Sequence, residues 1–213
     1  MNNTKNKYLI NIFIPLLLVL FVLSSSSLLL AEELKAYRGL KFKQTPKEVI
    51  DVFRNDSEIR GYPIAYDDIE YHITKGEGMF QGETTLLDRK TDMLMSFYQN
   101  KLYSVAFLSK SVTADKFKTE LNTVRKDYAA LIKNKYGEPD FTQEINFIDV
   151  TGDYPVVSHR WNIDDKKILI TTEEYESKYS VILQLIYEPL WQEKYGEEAQ
   201  AKEKDIEKES GNF

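Results

Sequence analysis

Hydrophobic residues recur along this chain with two spacings, and the points where the spacing changes divide it into elements. The segment 39–42 alternates like a short strand, and Thr45, Pro46 and Glu48 follow it. A Thr cap, a Pro at the first helical position and a Glu three residues after the cap form a capping box. The pattern predicts a helix that ends near Asn55 and places its apolar residues on one side, namely Val49, Ile50 and Phe53.

Residues 65–109 are predicted to form strands, because apolar and polar positions alternate there with a period of two. Ile69, Tyr71 and Ile73 show the alternation most clearly. The segment 102–109 is apolar at consecutive positions and therefore on both faces. A strand of that kind is expected at the centre of a sheet.

A long helix is predicted from Thr113 to Lys135, where apolar residues recur every three or four positions. Gly137 and Pro139 are the residues expected just beyond a helix C-terminus. The predicted apolar stripe consists of Phe117, Leu121, Val124, Tyr128 and Leu131.

More strand-like segments follow the long helix, separated by turn residues. They are Phe141–Phe147, Val156–Ile163, Ile168–Glu173 and Tyr179–Tyr187. The order of elements predicts an α+β fold: an antiparallel sheet with two main helices packed on one face. We expect residues 32–189 to form this domain, and residues 190–213 to form a charged C-terminal helix or tail.

The two halves of this domain, residues 37–110 and 111–189, show a faint internal similarity. A Tyr-Ser-Val triplet begins at Tyr103 and again at Tyr179. The same offset relates Gly61, after the first helix, to Gly137, after the second. A degenerate two-fold repeat of helix-then-strands is one interpretation. Chance recurrence of residues common in strands is the other.

The N-terminal segment, residues 1–31, has the order typical of a secretory signal peptide. Lys5 and Lys7 precede residues 8–31, which carry no charge and end in Ala31. Cleavage near Ala31 is the first interpretation. The alternative is retention as an anchor, because about 20 apolar residues can cross a bilayer. Both place the domain in the periplasm or outside the cell, with membrane contact only through residues 8–31 if they are retained.

Composition narrows the possible partners and chemistry. The formal net charge is −6, so nucleic acid is an improbable ligand. From Glu188 onward there are eight acidic and four basic residues, which makes the tail acidic. The chain has no cysteine, so thiol catalysis and thiolate metal sites are excluded.

Few candidates for catalysis remain. Neither of the two histidines, His72 and His159, lies beside a nucleophile motif. The densest acidic cluster in the strand region is Asp67, Asp68 and Glu70. Such a cluster can hold a cation or share acid and base duty, although neighbouring acids are usually just solvated. An envelope hydrolase or metal-dependent enzyme is thus the alternative class, and we expect no cofactor and no bound metal.

Tyrosine is abundant, with 14 in the chain, and many lie in predicted strands. Tyrosine and tryptophan combine a large apolar ring with a polar group, so they are favoured at recognition surfaces. They are equally common in half-buried strands. The candidate binding residues are Tyr66, Tyr71, Tyr103, Tyr179 and Trp161.

The segment 37–49, from Tyr37-Arg38-Gly39 through Thr45-Pro46 to Val49, resembles the opening of small exported bacterial helix-plus-antiparallel-sheet envelope proteins. These include the outer-membrane assembly lipoproteins and the β-lactamase inhibitor protein, which carries two such units. The chain lacks the cysteine that the lipoproteins lipidate.

The resemblance implies a binding or assembly role without catalysis. We therefore expect an exported module of the bacterial envelope that recognises a protein or another envelope component. An inhibitor of a secreted hydrolase is a further alternative.

Overall fold

The computed structural model describes residues 34–61, 76–150 and 155–196. The chain divides into two units after Lys35, and the second, Ala36–Phe213, carries the fold. Among the described residues, no helix combines the length and apolar character that crossing a membrane requires. The signal-peptide prediction for residues 1–31 lies outside the described residues and stays a prediction.

Ten strands and three α-helices make up the described chain. The strands are β1 (Lys35–Tyr37), β2 (Leu40–Lys41), β3 (Ile59–Gly61), β4 (Gly78–Leu86), β5 (Arg89–Tyr98), β6 (Lys101–Leu108), β7 (Phe141–Thr142), β8 (Val156–Ile163), β9 (Lys166–Tyr175) and β10 (Lys178–Tyr187). The helices are α1 (Pro46–Asn55), α2 (Asn122–Tyr136) and α3, whose described part spans 188–196.

Eight of the strands form one antiparallel sheet in the order β3-β4-β5-β6-β10-β9-β8-β7, and β1 pairs with β2 separately. The predicted α+β class with an antiparallel sheet is therefore confirmed. β6 lies inside the sheet between β5 and β10, as its continuous apolar sequence predicted. Its buried residues on both faces explain why charged residues are confined to its first position.

Tight hairpins join β4 to β5, β5 to β6 and β9 to β10, and their connecting residues have positive φ angles. Gln99 and Asn100 have φ values of 50° and 58°, and Glu176 and Ser177 have values of 52° and 62°. Two successive residues with positive φ are the signature of a type I′ turn, whose twist matches that of the strands it joins. These turns set the register, so each strand faces its neighbour residue by residue.

One face of the sheet, here called the core face, carries most of the buried large apolar side chains. Register pairs connect its side chains from β4 to β8: Phe80 faces Met95, Met93 faces Phe107, and Phe107 faces Leu183. Further along, Leu185 faces Ile168, which faces Trp161. Burial of so many large apolar side chains is the main driving force for folding.

Helix α1 begins as the sequence predicts. The Glu48 N–H donates to Thr45 Oγ1 over 3.4 Å, and the Thr45 N–H donates to Glu48 Oε2 over 2.7 Å. Pro46 occupies the first turn, and the helix ends at Asn55. The hydrogen bonds from Thr45 lower the pKa of Glu48 because they stabilise its carboxylate. The apolar side is buried through Val49, Ile50 and Phe53, as expected.

A glycine on β4 lets α1 approach the sheet closely. A Cβ at Gly82 would lie 2.5 Å from Phe53 Cε1 and 2.9 Å from the Arg60 carbonyl oxygen. The Phe53 ring also meets Phe80 edge to face, with centroids 5.0 Å apart. The missing side chain at Gly82 therefore makes room for the ring.

The start of the long helix differs from the prediction. A turn of 3-10 helix, Ala114–Lys116, and a π-helical turn, Phe117–Leu121, precede α2. The Asn122 N–H donates to the Phe117 carbonyl, rather than to the carbonyl of Lys118 as in a regular α-helix. This wider turn holds an extra residue and rotates the helix that follows it.

The rotation changes which side chains are buried. The sequence predicted Val124 and Leu131, but both are only partly buried. Their neighbours Arg125 and Ile132 are buried instead. The prediction was correct for Phe117, Leu121 and Tyr128.

The predicted strand Phe141–Phe147 is also shorter in the structure. Only Phe141–Thr142 pairs with β8, and a 3-10 turn covers Phe147–Asp149. Asn146 and Asp149 cap this turn reciprocally. Local hydrogen bonding by Asn and Asp competes with strand pairing and ends the strand.

Candidate functional sites

Three of the five predicted binding residues lie in the described chain, and all three are buried. Trp161 is 2% exposed, and its Nε1–H donates to the Gly137 carbonyl over 3.0 Å. Tyr179 is 7% exposed, and its ring centroid lies 5.2 Å from that of Phe117. These two side chains connect α2 and the π-helical turn to the sheet.

Tyr103 has a different surrounding. The register between β5 and β6 shifts after Ser96, which leaves Tyr103 without a facing residue on β5. Tyr103 is 7% exposed and hydrogen-bonds Tyr195 of α3. Burial raises the pKa of its phenol. The other two candidates, Tyr66 and Tyr71, lie outside the described residues, and the three described ones contact different partners.

The acidic cluster of Asp67, Asp68 and Glu70, together with His72, lies outside the described residues too. Within the described ranges, no group of three or more histidine and carboxylate side chains is arranged to hold a metal ion. The enzymatic alternative based on that cluster stays a prediction.

The sheet face opposite the core face carries a mixed surface, here called the open face. Register pairs place its side chains next to one another on neighbouring strands: Leu94 faces Ala106, Gln184 faces Leu169, and Leu108 faces Ile182. Its side chains, mostly partly exposed, are Leu94, Ala106, Leu108, Leu169, Glu173, Tyr175, Ile182 and Gln184.

Charged and aromatic groups border the apolar centre of the open face. Tyr175, at the tip of the β9–β10 hairpin, is 72% exposed. Glu173 lies two residues before it, and burial raises the pKa of its carboxyl. A partly desolvated carboxyl next to exposed apolar side chains is ready to accept a hydrogen bond from a partner.

Helix α3 covers one end of this side of the sheet. The Lys167 ammonium lies 4.9 Å from the Trp191 ring centroid and 2.7 Å from Glu188 Oε1. Lys194 binds Glu77 over 2.8 Å. Trp191 contacts Lys167 and Tyr195 contacts Tyr103, so these two aromatic side chains hold the start of the C-terminal segment against the sheet.

A separate cavity of about 510 Å³, here called the α2 cavity, lies between α2 and the nearby ends of β5 and β6. Its apolar lining comes from Val112, Leu121, Val124 and the Tyr128 ring. Three cations line it as well, Arg89, Lys90 and Lys110. Burial raises the pKa of the Tyr128 phenol.

The cations of the α2 cavity differ in their partners. Arg89 Nη2 lies 2.7 Å from Asp127 Oδ2, and Lys90 Nζ lies 2.7 Å from Glu83 Oε2. Arg89 Nη1 is buried without a hydrogen-bond partner. Lys110 is exposed and has no carboxylate partner among the described residues.

A buried cation also lies between α2 and the loop after β7. Arg125 is 8% exposed, and its Nη2 donates to the Ile145 carbonyl over 3.2 Å and to Asn122 Oδ1. Its Nη1 has no hydrogen-bond partner within the described chain. Desolvation lowers the pKa of Arg125, and nearby Glu144 partly opposes that shift.

The second histidine of the chain lies near Arg125. His159 Nδ1 is 3.0 Å from Ser158 Oγ, and the imidazole stacks on Trp161 at 5.8 Å between centroids. Desolvation and, second, the charge of Arg125 lower the pKa of His159. The ring is therefore neutral at pH 7 and serves as a packing group.

Sequence reasoning missed the α2 cavity and the buried Arg125. The π-helical turn rotates α2 so that Arg125 is buried, and it contributes Thr119, Glu120 and Leu121 to the lining of the cavity. The regular period of an α-helix does not reveal this turn. Arg89 and Lys90 begin β5, whereas Lys110 follows the end of β6. Only the pairing of β5 with β6 brings these cations to one end of the sheet.

Comparison with known proteins finds no counterpart: no protein-family model, no curated protein and no solved structure matches this chain.

Proposed function

We propose that this protein is an exported, non-enzymatic binding module of the bacterial envelope that recognises a protein partner through the open face. The observation that carries the proposal is the apolar centre of that face, where Leu94, Leu169 and Ile182 remain partly exposed on the strands β5, β9 and β10. Contiguous exposed apolar side chains with polar borders mark protein interaction sites.

The composition of the open face also favours a protein partner over a small molecule. Its side chains project from neighbouring strands of a sheet and present an extended surface. Gln184 lies between Ala106 and Leu169 and adds an amide to this surface, while Glu173 and the exposed ring of Tyr175 lie toward the β9–β10 hairpin. Interfaces commonly combine an apolar centre with a polar rim and aromatic anchors.

Site-specific photocrosslinking in an envelope extract tests this proposal. A photoreactive residue at Leu169 or Ile182 should form an adduct with one protein, whereas the same residue at exposed Lys126 on α2 should not. The double variant Leu169→Glu, Ile182→Glu should lose binding of that protein, and Lys126→Glu should retain it. Equal labelling at all three positions, or binding unchanged by the double variant, would contradict the proposal.

The identity of the adduct also separates the alternative classes. A secreted hydrolase whose activity falls on binding would make the protein an inhibitor. Hydrolytic activity of the protein itself, lost in the triple variant Asp67→Asn, Asp68→Asn, Glu70→Gln, would make it an enzyme.

We further propose that the two halves derive from one helix-then-strands unit and that α1 and α2 cover the same core face. The two helices begin at Pro46 and Asn122, and the strands β6 and β10 begin at Lys101 and Lys178. The two pairs of starting positions have nearly the same offset in sequence. In an experimental structure, residues 37–110 should superpose on 111–189 with α1 on α2 and β6 on β10. Failure to superpose would contradict the duplication.

A further inference from the structure

The α2 cavity has the volume of a small-molecule site and a particular distribution of polar groups. Its volume of about 510 Å³ lies within the usual range for ligand pockets, about 300 to 1,000 Å³. The π-helical turn contributes to it through Thr119 and Leu121. Such turns are frequent at functional sites.

The serine and threonine hydroxyl groups of the lining do not offer protons to a ligand. Thr91 Oγ1 donates to the Arg89 carbonyl over 3.0 Å, and Ser109 Oγ to the Lys110 carbonyl over 3.3 Å. On the helix, Thr119 Oγ1 donates to the Lys116 carbonyl over 3.4 Å, and Thr123 Oγ1 to the Thr119 carbonyl over 2.7 Å. With these hydroxyl protons already engaged, the side chains of the lining that can donate to an anionic ligand are chiefly its three cations.

The charge of the lining contrasts with that of the whole protein. The lining carries three cations and one carboxylate, Glu120, in a chain with a net charge of −6. Glu120 itself binds Lys116 over 2.9 Å. Because Asp127 and Glu83 neutralise Arg89 and Lys90, the charge that is left without a partner in this lining is that of Lys110.

Arg89 also has a hydrogen-bond donor that is not used within the described chain. Among the described residues, Arg89 Nη1 is a buried donor without an acceptor, which is unfavourable. The Arg89 side chain as a whole is 41% exposed and lines the cavity, so a ligand oxygen can bind the guanidinium on its exposed side. Lys110 and Arg89 can thus contact one anionic group at the edge of an apolar cavity.

We propose that the α2 cavity binds a small amphiphile with an alkyl chain and a carboxylate headgroup. The alkyl chain contacts Val112 and Val124, the apolar lining residues that keep accessible surface, and the headgroup binds Lys110 and Arg89. This site lies on a different part of the molecule from the open face and does not depend on the proposed protein partner.

Calorimetric titration with three ten-carbon probes tests the headgroup. Decanoate should bind at least about tenfold more tightly than decanol, because a factor of ten corresponds to about 1.4 kcal/mol and a charge-assisted hydrogen bond supplies that much. Decyltrimethylammonium should not bind. Equal binding of decanoate and decanol, or no binding of decanoate, would overturn the proposal. Decyl phosphate binding more tightly than decanoate would reject the carboxylate and indicate a phosphate headgroup.

Variants locate the site. Lys110→Gln should weaken decanoate binding by about tenfold and leave decanol unchanged, and Arg89→Gln should act in the same direction. Val124→Phe should fill the cavity and remove binding of both probes. Lys126→Gln, on α2 outside the lining, is the matched control and should have no effect. Lys110 is exposed, so its variant will fold even if Arg89→Gln does not. Unchanged affinity in both Lys110→Gln and Val124→Phe would place the ligand elsewhere.

Discussion

Helices α1 and α2 begin in different ways and contact the sheet differently. Helix α1 is regular from a fully formed capping box onward, and its Phe53 fits where Gly82 has no side chain. The long helix starts through a 3-10 turn and a π-helical turn, without a side-chain cap at Thr113.

The two helices also differ in the space that is left between helix and sheet. The first half has no residual gap at the Phe53–Gly82 contact, whereas the second half leaves the α2 cavity beside its π-helical turn. Strand order alone therefore does not determine how closely a helix approaches the sheet. The distance between helix and sheet depends on the first turn of the helix and on the size of the strand side chain that it packs against.

The largest expected effect tests the rotated face of α2. Leu121→Ala and Ile132→Ala should each lower the free energy of unfolding by about 2–5 kcal/mol, because both side chains are buried. Leu131→Ala should cost clearly less than Ile132→Ala, since Leu131 is partly exposed. Chemical denaturation measures these values. A cost for Leu131→Ala equal to that for Ile132→Ala would mean that the π-helical turn does not rotate the helix.

Adding a single methyl group at Gly82 should disrupt the close contact between α1 and β4. Gly82→Ala places a methyl group against the Phe53 ring and the Arg60 carbonyl, and we expect a loss of about 1–3 kcal/mol from overpacking. Gly196→Ala, where no atom lies within 4 Å of the added carbon, is the control and should be nearly neutral. Adding Phe53→Leu to Gly82→Ala should restore part of the thermal stability. No restoration would show that the backbone contact with Arg60 causes the loss.

The helix starts provide a third comparison. Thr45→Ala removes the capping box of α1 and should cost about 1 kcal/mol. Thr113→Ala removes only a side-chain hydrogen bond to Asp115 and should stay within about 0.5 kcal/mol. Both substitutions can be compared by urea denaturation. Equal costs would indicate that Thr113 caps the second helix in solution.

The smallest expected effect concerns pH. The pKa of His159 is lowered in the folded protein, so below its unfolded pKa of about 6.5 the unfolded chain binds more protons and stability falls with falling pH. The loss is complete below the folded pKa. His159→Gln should therefore show a shallower decrease in unfolding free energy between pH 7.5 and pH 5 than the unsubstituted protein.

Arg125→Met should reduce the same pH dependence, because it removes the neighbouring charge that contributes to the shift. It also removes the donor to the buried Ile145 carbonyl and to Asn122 Oδ1, so the free energy of unfolding at pH 7.5 should fall by about 1–3 kcal/mol. An unchanged pH profile in both variants would assign the acid sensitivity to carboxyl groups.

Much of the fold could be predicted because local signals agree with the final structure. The Thr45–Glu48 capping box and strand β8 are found at the predicted positions. Strand β6 is central because its apolar residues can be buried only when both faces are covered. Helix caps and the alternation of apolar and polar residues depend on residues only a few positions apart, so they can be recognised directly in the sequence.

The candidate sites could not be predicted in this way. Trp161, Tyr179 and Tyr103 are of residue types that are common at binding surfaces. In the structure they contact other parts of the same chain instead, namely Gly137, Phe117 and Tyr195 respectively. An aromatic side chain in a strand can face either side of the sheet. Its exposure depends on which helix covers that side.

The amino-acid sequence by itself determined the class of the fold, the central strand and the start of α1, because these follow from contacts between near neighbours. Only the tertiary structure decided the rotation of α2, the burial of Arg125 and the position of the α2 cavity. Those features depend on the distance between a helix and a sheet formed by residues far apart in the chain. That distance is set by packing, and packing has no local sequence signal.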